Sequence, residues 1–224
     1  MGSRQTVFSP GEWYHCYTRT IEKRIAFETD GDYERFLQTL YLCNSERPMR
    51  RDDLPRMARE DIYAYPRGEP LVSIGSYCIM PTHFHLLLHE IRDNGISRFM
   101  QKVGTAYTMY FNIRQQRIGG LFVKPFRAKH IDEDPYLRRV VQYIHLNPAE
   151  LFEPAWKRGV VRNMRKLESA LRQYRYSSWP DYEHDEARPQ RAILGREKLV
   201  SFGGLLPLRQ TLEETRAYYQ DLLP

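Results

Sequence analysis

The stretch that decides the fold is Cys78-Ile79-Met80-Pro81-Thr82-His83-Phe84-His85-Leu86-Leu87-Leu88-His89. It is apolar and rich in residues that favour extended structure, so it predicts a buried β-strand. Side chains two residues apart on a strand point to the same face, so His83 and His85 are presented side by side. Two neutral imidazoles in this arrangement suit a divalent metal ion. The spacing alone leaves a second interpretation equally open, in which both rings are hydrogen-bonded core residues.

A helix is predicted downstream, over residues 132–148. Asp134 is a suitable N-cap residue and Pro135 suits the first helical position. The apolar stripe of this helix consists of Leu137, Val140, Val141 and Ile144. Tyr143 and Asn147 are four residues apart, so they share one edge of that stripe. From spacing alone, the favoured interpretation is a half-buried core tyrosine and an asparagine that caps the helix end.

Composition limits the class of protein. The 224 residues fit one domain, and a hydrophobic content of 42% is enough for a core. No apolar run approaches the ~20 residues that cross a bilayer, and the first residues lack an apolar signal region, which favours a cytoplasmic protein. The three cysteines are widely spaced, as expected for free thiols in a reducing compartment. The formal charge of +6 favours a polyanionic partner.

The order of predicted elements indicates an α+β fold. The expected elements are a strand over 12–21, a helix over 30–45, strands over 71–80 and 84–89, a helix over 95–115, a strand or hairpin arm within 121–131, the helix over 132–148 and a short helix over 168–173. We expect one domain over 1–184 with an inserted loop at 46–70. Residues 185–224 are expected to form a C-terminal tail with a helix around Leu212.

Several blocks of sequence resemble a known family. His83-Phe84-His85 matches the histidine–hydrophobic–histidine (HUH) signature of endonucleases that nick single-stranded DNA through a tyrosine. The chain is similar to the single-tyrosine HUH transposases, and most similar to the REP-associated tyrosine transposases. Order and spacing agree over roughly residues 10–184. The matching blocks are Trp13-Tyr14-His15-Cys16-Tyr17-Thr18-Arg19, Asp32-Tyr33-Glu34-Arg35-Phe36-Leu37, Met80-Pro81-Thr82-His83-Phe84-His85-Leu86-Leu87, Gly119-Gly120-Leu121-Phe122, Tyr143-Ile144-His145-Leu146-Asn147-Pro148 and Tyr174-Arg175-Tyr176-Ser177-Ser178-Trp179.

The resemblance implies a fold and a reaction. The fold would be a ferredoxin-like antiparallel sheet with both histidines on a central strand and helices packed on the sheet. His83 and His85 would be metal ligands, Asn147 would supply a third ligand oxygen, and Tyr143 would be the nucleophile. The metal would be magnesium or manganese. The protein would cleave and rejoin single-stranded or hairpin-containing DNA through a 5′-phosphotyrosine intermediate, as a monomer or a homodimer, since relatives use both arrangements.

Basic residues indicate where DNA would be contacted. Arg127, Lys129 and His130 place three basic groups on shared or adjacent faces of one predicted strand, and Lys124, Arg127 and Lys129 are the candidate phosphate contacts. Arg19, at the end of the first strand, is a further candidate. An interpretation as a solvated strand edge has about equal weight.

Three other functions are considered. The first is a replication-initiator or conjugative nickase, a class that often carries extra domains. The second is a domesticated DNA-binding protein that keeps the fold without cleavage, which the presence of His83, His85, Tyr143 and Asn147 disfavours. The third is a structural zinc domain, which lacks an obvious fourth ligand.

Overall fold

The computed structural model of the chain describes residues 6–47, 61–132, 134–183, 188–195 and 210–212. It contains a four-stranded antiparallel sheet with the spatial order β2-β3-β1-β4. The strands are β1 (Trp13–Arg19), β2 (Val72–Met80), β3 (His83–Glu90) and β4 (Arg127–Ile131). Helix α1 (Asp30–Cys43) connects β1 to β2, and α2 (Gly95–Arg114) connects β3 to β4. The predicted α+β, ferredoxin-like fold is therefore confirmed, and β3 is a central strand.

The stretch from residue 78 to 89 is a hairpin rather than one strand. A two-residue turn at Pro81 and Thr82 separates β2 from β3, and it pairs Met80 with His83. Proline has no backbone N–H to give to the strand ladder, so it favours a strand end at this point. The interpretation of the whole stretch as a single strand was wrong, whereas the separate strands expected over 71–80 and 84–89 agree with β2 and β3 to within one residue at each end.

Helices α1 and α2 cover one face of the sheet. Their N-termini are fixed by buried carboxylates: Asp32 accepts a hydrogen bond from the backbone N–H of Thr29, and Glu90 accepts two from Gly95 and Ile96. The even-numbered residues of β3 point to this side and join the main core. The largest fully buried rings of that core are Tyr14, Phe27, Phe36, Tyr77, Phe84, Phe99 and Tyr107.

Helix α3 (Asp134–Leu146) covers the opposite face. All four predicted stripe residues are buried there, in a cluster with Cys78, Met80, Leu87 and Ile131 of the sheet. Because side chains alternate along a strand, the face that α3 covers is also the face of His83 and His85. The helix stripe and the two histidines are thus brought to the same side of the sheet.

The remaining elements surround this centre. Helices α4 (Ala149–Phe152), α5 (Met164–Arg172) and α6 (Trp179–Glu183) form a smaller apolar cluster around Trp156 and Trp179. The expected strand within 121–131 is shorter than predicted, since only Arg127–Ile131 pairs with β1. Most of the predicted inserted loop, at 48–60, and most of the predicted tail lie outside the described residues. Ile193 and Leu194 of the tail are buried in the main core.

Candidate functional site

Two histidines from neighbouring strands are in direct contact. His15 lies on β1, where it pairs with Leu87, and His85 pairs with Tyr17 one step along the same pair of strands. This register makes His15 and His85 diagonal neighbours on one face. The His15 Nε2 and His85 Nδ1 atoms are 2.9 Å apart, and both side chains are buried. One ring must donate and the other must accept, so each histidine restricts the orientation and the tautomer of the other.

His83 lies beside His85 at the start of β3. The two ring centroids are 5.3 Å apart, and the His83 Nδ1 atom lies 3.1 Å from the Thr82 hydroxyl oxygen. The described hydrogen bonds of both rings therefore involve Nδ1. The Nε2 atoms are then the nitrogens with which the two rings can bind a cation. In most histidine metal sites, likewise, one ring nitrogen binds the metal and the other forms a hydrogen bond.

The three imidazoles are held in their neutral form. Burial, followed by the charge of Lys129, lowers the pKa of His15 to about 3. Burial and the neighbouring His15 lower the pKa of His85 well below its ordinary value. Burial also lowers the pKa of His83, although the nearby Glu150 acts in the opposite direction. Neutral rings have a free lone pair, so these histidines are ready to act as metal ligands near pH 7.

Tyr143 is brought to the histidines by α3. Its ring centroid lies 5.5 Å from that of His85 and 5.4 Å from that of His15, in edge-on contacts. The tyrosine and the histidines that it contacts belong to the same chain. The side chain is 4% exposed and forms part of the cluster between α3 and the sheet. The sequence could not show this contact, which needs the helix to cross the sheet at one particular position.

Asn147 follows one turn after Tyr143 and is also buried. Its side-chain Nδ2 donates to the backbone carbonyl of Tyr143 at 2.9 Å. This bond ties the amide to the end of α3, with Nδ2 as the donor; Oδ1 is the acceptor atom of the amide. The interpretation of Asn147 as a helix-end residue thus agrees with its hydrogen bond and does not exclude a ligand role.

The donor set suits a hard or borderline divalent cation. Two neutral imidazoles and one amide oxygen give mixed nitrogen and oxygen ligation with positions left for water or phosphate, as Mn²⁺ and Mg²⁺ accept. Within the described residues, no group of three or more histidine, cysteine, aspartate or glutamate side chains is placed to hold a metal. The three cysteines are free thiols.

Three of the four candidate DNA contacts lie on the histidine face. Arg19 pairs with His83, and on β4 Arg127 pairs with Tyr17 and Lys129 with His15. Residues that pair across antiparallel strands share a face, so these basic side chains border the site. The fourth candidate, Lys124, is exposed in the loop before β4.

A further ion pair lies close to His83. Lys157 donates to the carboxylate of Glu150 at 2.6 Å, and both charges influence the pKa of His83. Lys157 also contributes to the low pKa of His85. The site is therefore bordered by an ion pair from the segment that follows α3.

His15 is the residue at this site to which sequence reasoning gave no role. Its block was recognised, but a single histidine in a strand has no partner that can be read from the sequence. Side-chain alternation could have indicated a role, because the odd-numbered residues of Trp13–Arg19 share one face of β1 and the odd-numbered residues of β3 share one face of β3. Placing His15 beside His85 also requires the register between the two strands, and this sequence does not show it.

Two comparisons with known proteins bear on this arrangement. Residues 56–147 match the family model described as "Transposase IS200 like". The matched region contains all four predicted site residues of the metal and nucleophile set. The predicted resemblance to single-tyrosine transposases is confirmed over this region, which is similar to the IS200-like transposases.

One similar solved structure is described as "Structure of the REP associates tyrosine transposase bound to a REP hairpin". The two chains are 14% identical, the TM-score is 0.50, and the match covers 93% of this chain and 90% of the other. At this identity the likeness shows the fold. No curated protein matches the chain. Within the described residues, no helix combines the length and the apolar character that crossing a membrane requires.

Proposed function

We propose that this protein is a metal-dependent single-strand DNA endonuclease and strand transferase that forms a 5′-phosphotyrosine intermediate. The observation that supports this most directly is the contact of Tyr143 with His85 within one chain. The phenol that we propose as the nucleophile thus lies beside one of the imidazoles that we propose as metal ligands, which supports the proposal. The match to an IS200-like transposase model supports DNA as the substrate.

The residues can divide the reaction among them. His83, His85 and Asn147 would hold the cation through two Nε2 atoms and Oδ1. A bound Mg²⁺ or Mn²⁺ would polarise the scissile phosphate and favour ionisation of a nearby phenol. The Tyr143 oxygen would attack phosphorus, the bond from phosphorus to the 3′ oxygen would break, and the proton would end on the released 3′-hydroxyl. The phosphodiester energy would stay in the phosphotyrosine bond, so a later 3′-hydroxyl can rejoin the strand.

His15 has a positioning role in this proposal. If His85 binds the cation through Nε2, its Nδ1–H donates to His15 Nε2. His15 must then carry its own proton on Nδ1, a buried atom for which the described residues provide no hydrogen-bond partner. The hydrogen bond would fix the His85 ring and raise its basicity as a ligand.

Single-stranded or hairpin DNA is the partner in this proposal. The similar solved structure is described as bound to a REP hairpin, and Arg19, Arg127 and Lys129 border the histidine face. These cations would contact phosphates. A cis arrangement, in which one chain supplies both the tyrosine and the histidines, accommodates a monomer, and a homodimer remains an alternative. Free cysteines are consistent with the cytoplasm.

The replacement Tyr143→Phe tests the nucleophile. It removes one hydroxyl from a buried ring, so the fold and DNA binding should be retained while the covalent adduct disappears. The measurement is denaturing gel electrophoresis of a 3′-labelled hairpin oligonucleotide incubated with Mn²⁺, because the 5′-phosphotyrosine link would hold the fragment that carries the 3′ end. Tyr136→Phe, on the same helix, is the matched control and should keep the adduct. An undiminished adduct with Tyr143→Phe would exclude this assignment.

One observation favours a second candidate, a DNA-binding protein that does not cleave. Tyr143 is only 4% exposed, so a phosphate can reach its hydroxyl only if DNA binding exposes it. The same assay decides between the two functions. Tight binding of the oligonucleotide, with no adduct in Mg²⁺ or Mn²⁺ from the unaltered protein, would establish the second candidate.

A further inference from the structure

A cavity of about 740 Å³ opens on the face of the sheet opposite Tyr143. It lies between α2 and the loop over residues 119–126. Its volume falls in the range of about 300–1,000 Å³ that encloses small ligands. It is not part of the site described above, whose histidines lie on the other face.

The lining combines aromatic surface with polar groups. Phe84, Phe122 and Phe126 contribute rings, and the wall formed by α2 contributes Ser97, Gln101, Thr105 and Thr108 at helical spacing. Flat rings can stack on a flat ligand, and hydroxyl and amide groups can bind the edge of that ligand. A nucleobase has this combination of an apolar face and a polar edge.

The cavity lies close to the proposed site, and basic residues lie between the two. Thr18 and Phe84, which line it, form the strand pair next to Arg19 and His83. Lys124 also lines the cavity and is exposed. Arg127 begins the short edge strand β4 on the other side of this loop. Positive charge therefore runs from the histidine face, around the edge of the sheet, to the cavity.

We infer that this cavity binds one or two unpaired bases of the DNA strand whose phosphate reaches the histidine face. The inference rests on the proposed function, because it takes single-stranded DNA as the substrate. The backbone of the strand would follow Arg19, Arg127 and Lys124 around the β4 edge. A base would enter between α2 and the loop. The bound nucleotide would then lie at a set distance from Tyr143 along the DNA strand.

Gly104 offers a direct test. It lines the cavity from α2, and a Cβ atom added there would meet no heavy atom within 4 Å. The ring of Gly104→Phe should extend into the cavity, and this variant should weaken binding of a fluorescein-labelled 20-nucleotide DNA of mixed sequence by about tenfold, measured by anisotropy. Ile113→Phe is the control, since Ile113 is 71% exposed on the same helix and does not line the cavity. This control should bind like the unaltered protein.

A second measurement uses the unaltered protein and avoids any question of folding. The same oligonucleotide carrying 5-iodouracil should crosslink to Phe126 or Met109 on irradiation, as read by peptide mass spectrometry. Unchanged binding by Gly104→Phe, or crosslinks confined to the histidine face, would overturn the inference while the proposed nuclease stands. A protein that binds no single-stranded DNA and forms no adduct would overturn both proposals.

Discussion

Burial decides the chemical state of single residues at this site. His15 and His85 lie between a sheet and a helix, where a positive ring has no water to stabilise it, so both stay neutral. Their mutual hydrogen bond then replaces the water that each nitrogen would otherwise bind. A residue with no assigned role in the sequence thereby controls the orientation of one with an expected role.

His15→Gln should weaken Mn²⁺ binding about 10- to 100-fold, because the amide cannot hold His85 at the same distance and angle. The concentration of free Mn²⁺, followed by electron paramagnetic resonance during titration, measures this without any DNA. His130→Gln is the matched control, since His130 lies on the neighbouring strand and points to the other face, where it contacts Glu12. Equal Mn²⁺ affinity of the His15 variant and the unaltered protein would contradict the positioning role.

At the scale of secondary-structure elements, a buried carboxylate fixes where a helix begins and how it packs on its neighbour. Asp32 is fully buried and accepts hydrogen bonds from the Thr29 backbone and from the Tyr110 hydroxyl, and it pairs with Arg114. It thus starts α1 and ties it to α2. Burial acts to raise the pKa of this carboxyl, but the hydrogen bonds from Arg114 and Thr29 outweigh burial and lower it.

Asp32→Asn should reduce the free energy of unfolding by about 3 kcal/mol at pH 7, because it leaves the Arg114 charge without its partner. The lowered pKa of the folded state means that the carboxylate stabilises the protein above its unfolded pKa of about 3.9 and loses that effect as the pH falls through the folded value. The difference between the variant and the unaltered protein should therefore shrink in acid. Urea unfolding at pH 7 and pH 3 measures it, with the exposed Asp30→Asn as control. A difference that does not depend on pH would be evidence against this account.

Two glycines should respond to alanine in opposite ways. A Cβ atom at Gly75 of β2 would lie 2.8 Å from Trp13 Cζ3 and 2.9 Å from Leu87 Cδ2, so Gly75→Ala should reduce stability by about 1–3 kcal/mol. A Cβ atom at Gly104 of α2 meets nothing, so Gly104→Ala should increase stability by about 0.5–1 kcal/mol. Urea unfolding midpoints give both values. Equal effects at the two positions would mean that local packing does not decide them.

At the scale of the whole molecule, the core does not depend on the proposed cation. The sheet is covered by α1 and α2 on one face and by α3 on the other, and these apolar clusters form without the histidines. The metal would add to a fold that is already stable, in contrast to a structural zinc domain.

Chelation should therefore leave a cooperative thermal transition, and Mn²⁺ at about 100 times its dissociation constant should add about 2.7 kcal/mol of stability. Differential scanning calorimetry with EDTA and with Mn²⁺ measures both. The double variant His83→Ala/His85→Ala should lose the Mn²⁺ effect and keep a cooperative transition. Unfolding by EDTA alone would instead favour the structural zinc interpretation.

Local patterns predicted the elements well because they depend on local physics. The stripe of Leu137, Val140, Val141 and Ile144 identified α3 before its place was known, and helical periodicity needs no tertiary information. The error in the stretch from 78 to 89 arose because continuous apolar sequence hid the turn at Pro81. The part of that stretch after the turn did form the strand that carries both histidines.

The sequence by itself determined the α+β order of elements, the shared face of His83 and His85, and the one-turn spacing of Tyr143 and Asn147. These follow from backbone periods of two and 3.6 residues. Only the tertiary structure decided that His15, 70 residues before His85, would bond to it, and that α3 would place Tyr143 against both rings. Strand register and helix docking depend on how distant apolar faces fit together, and no local pattern encodes that fit.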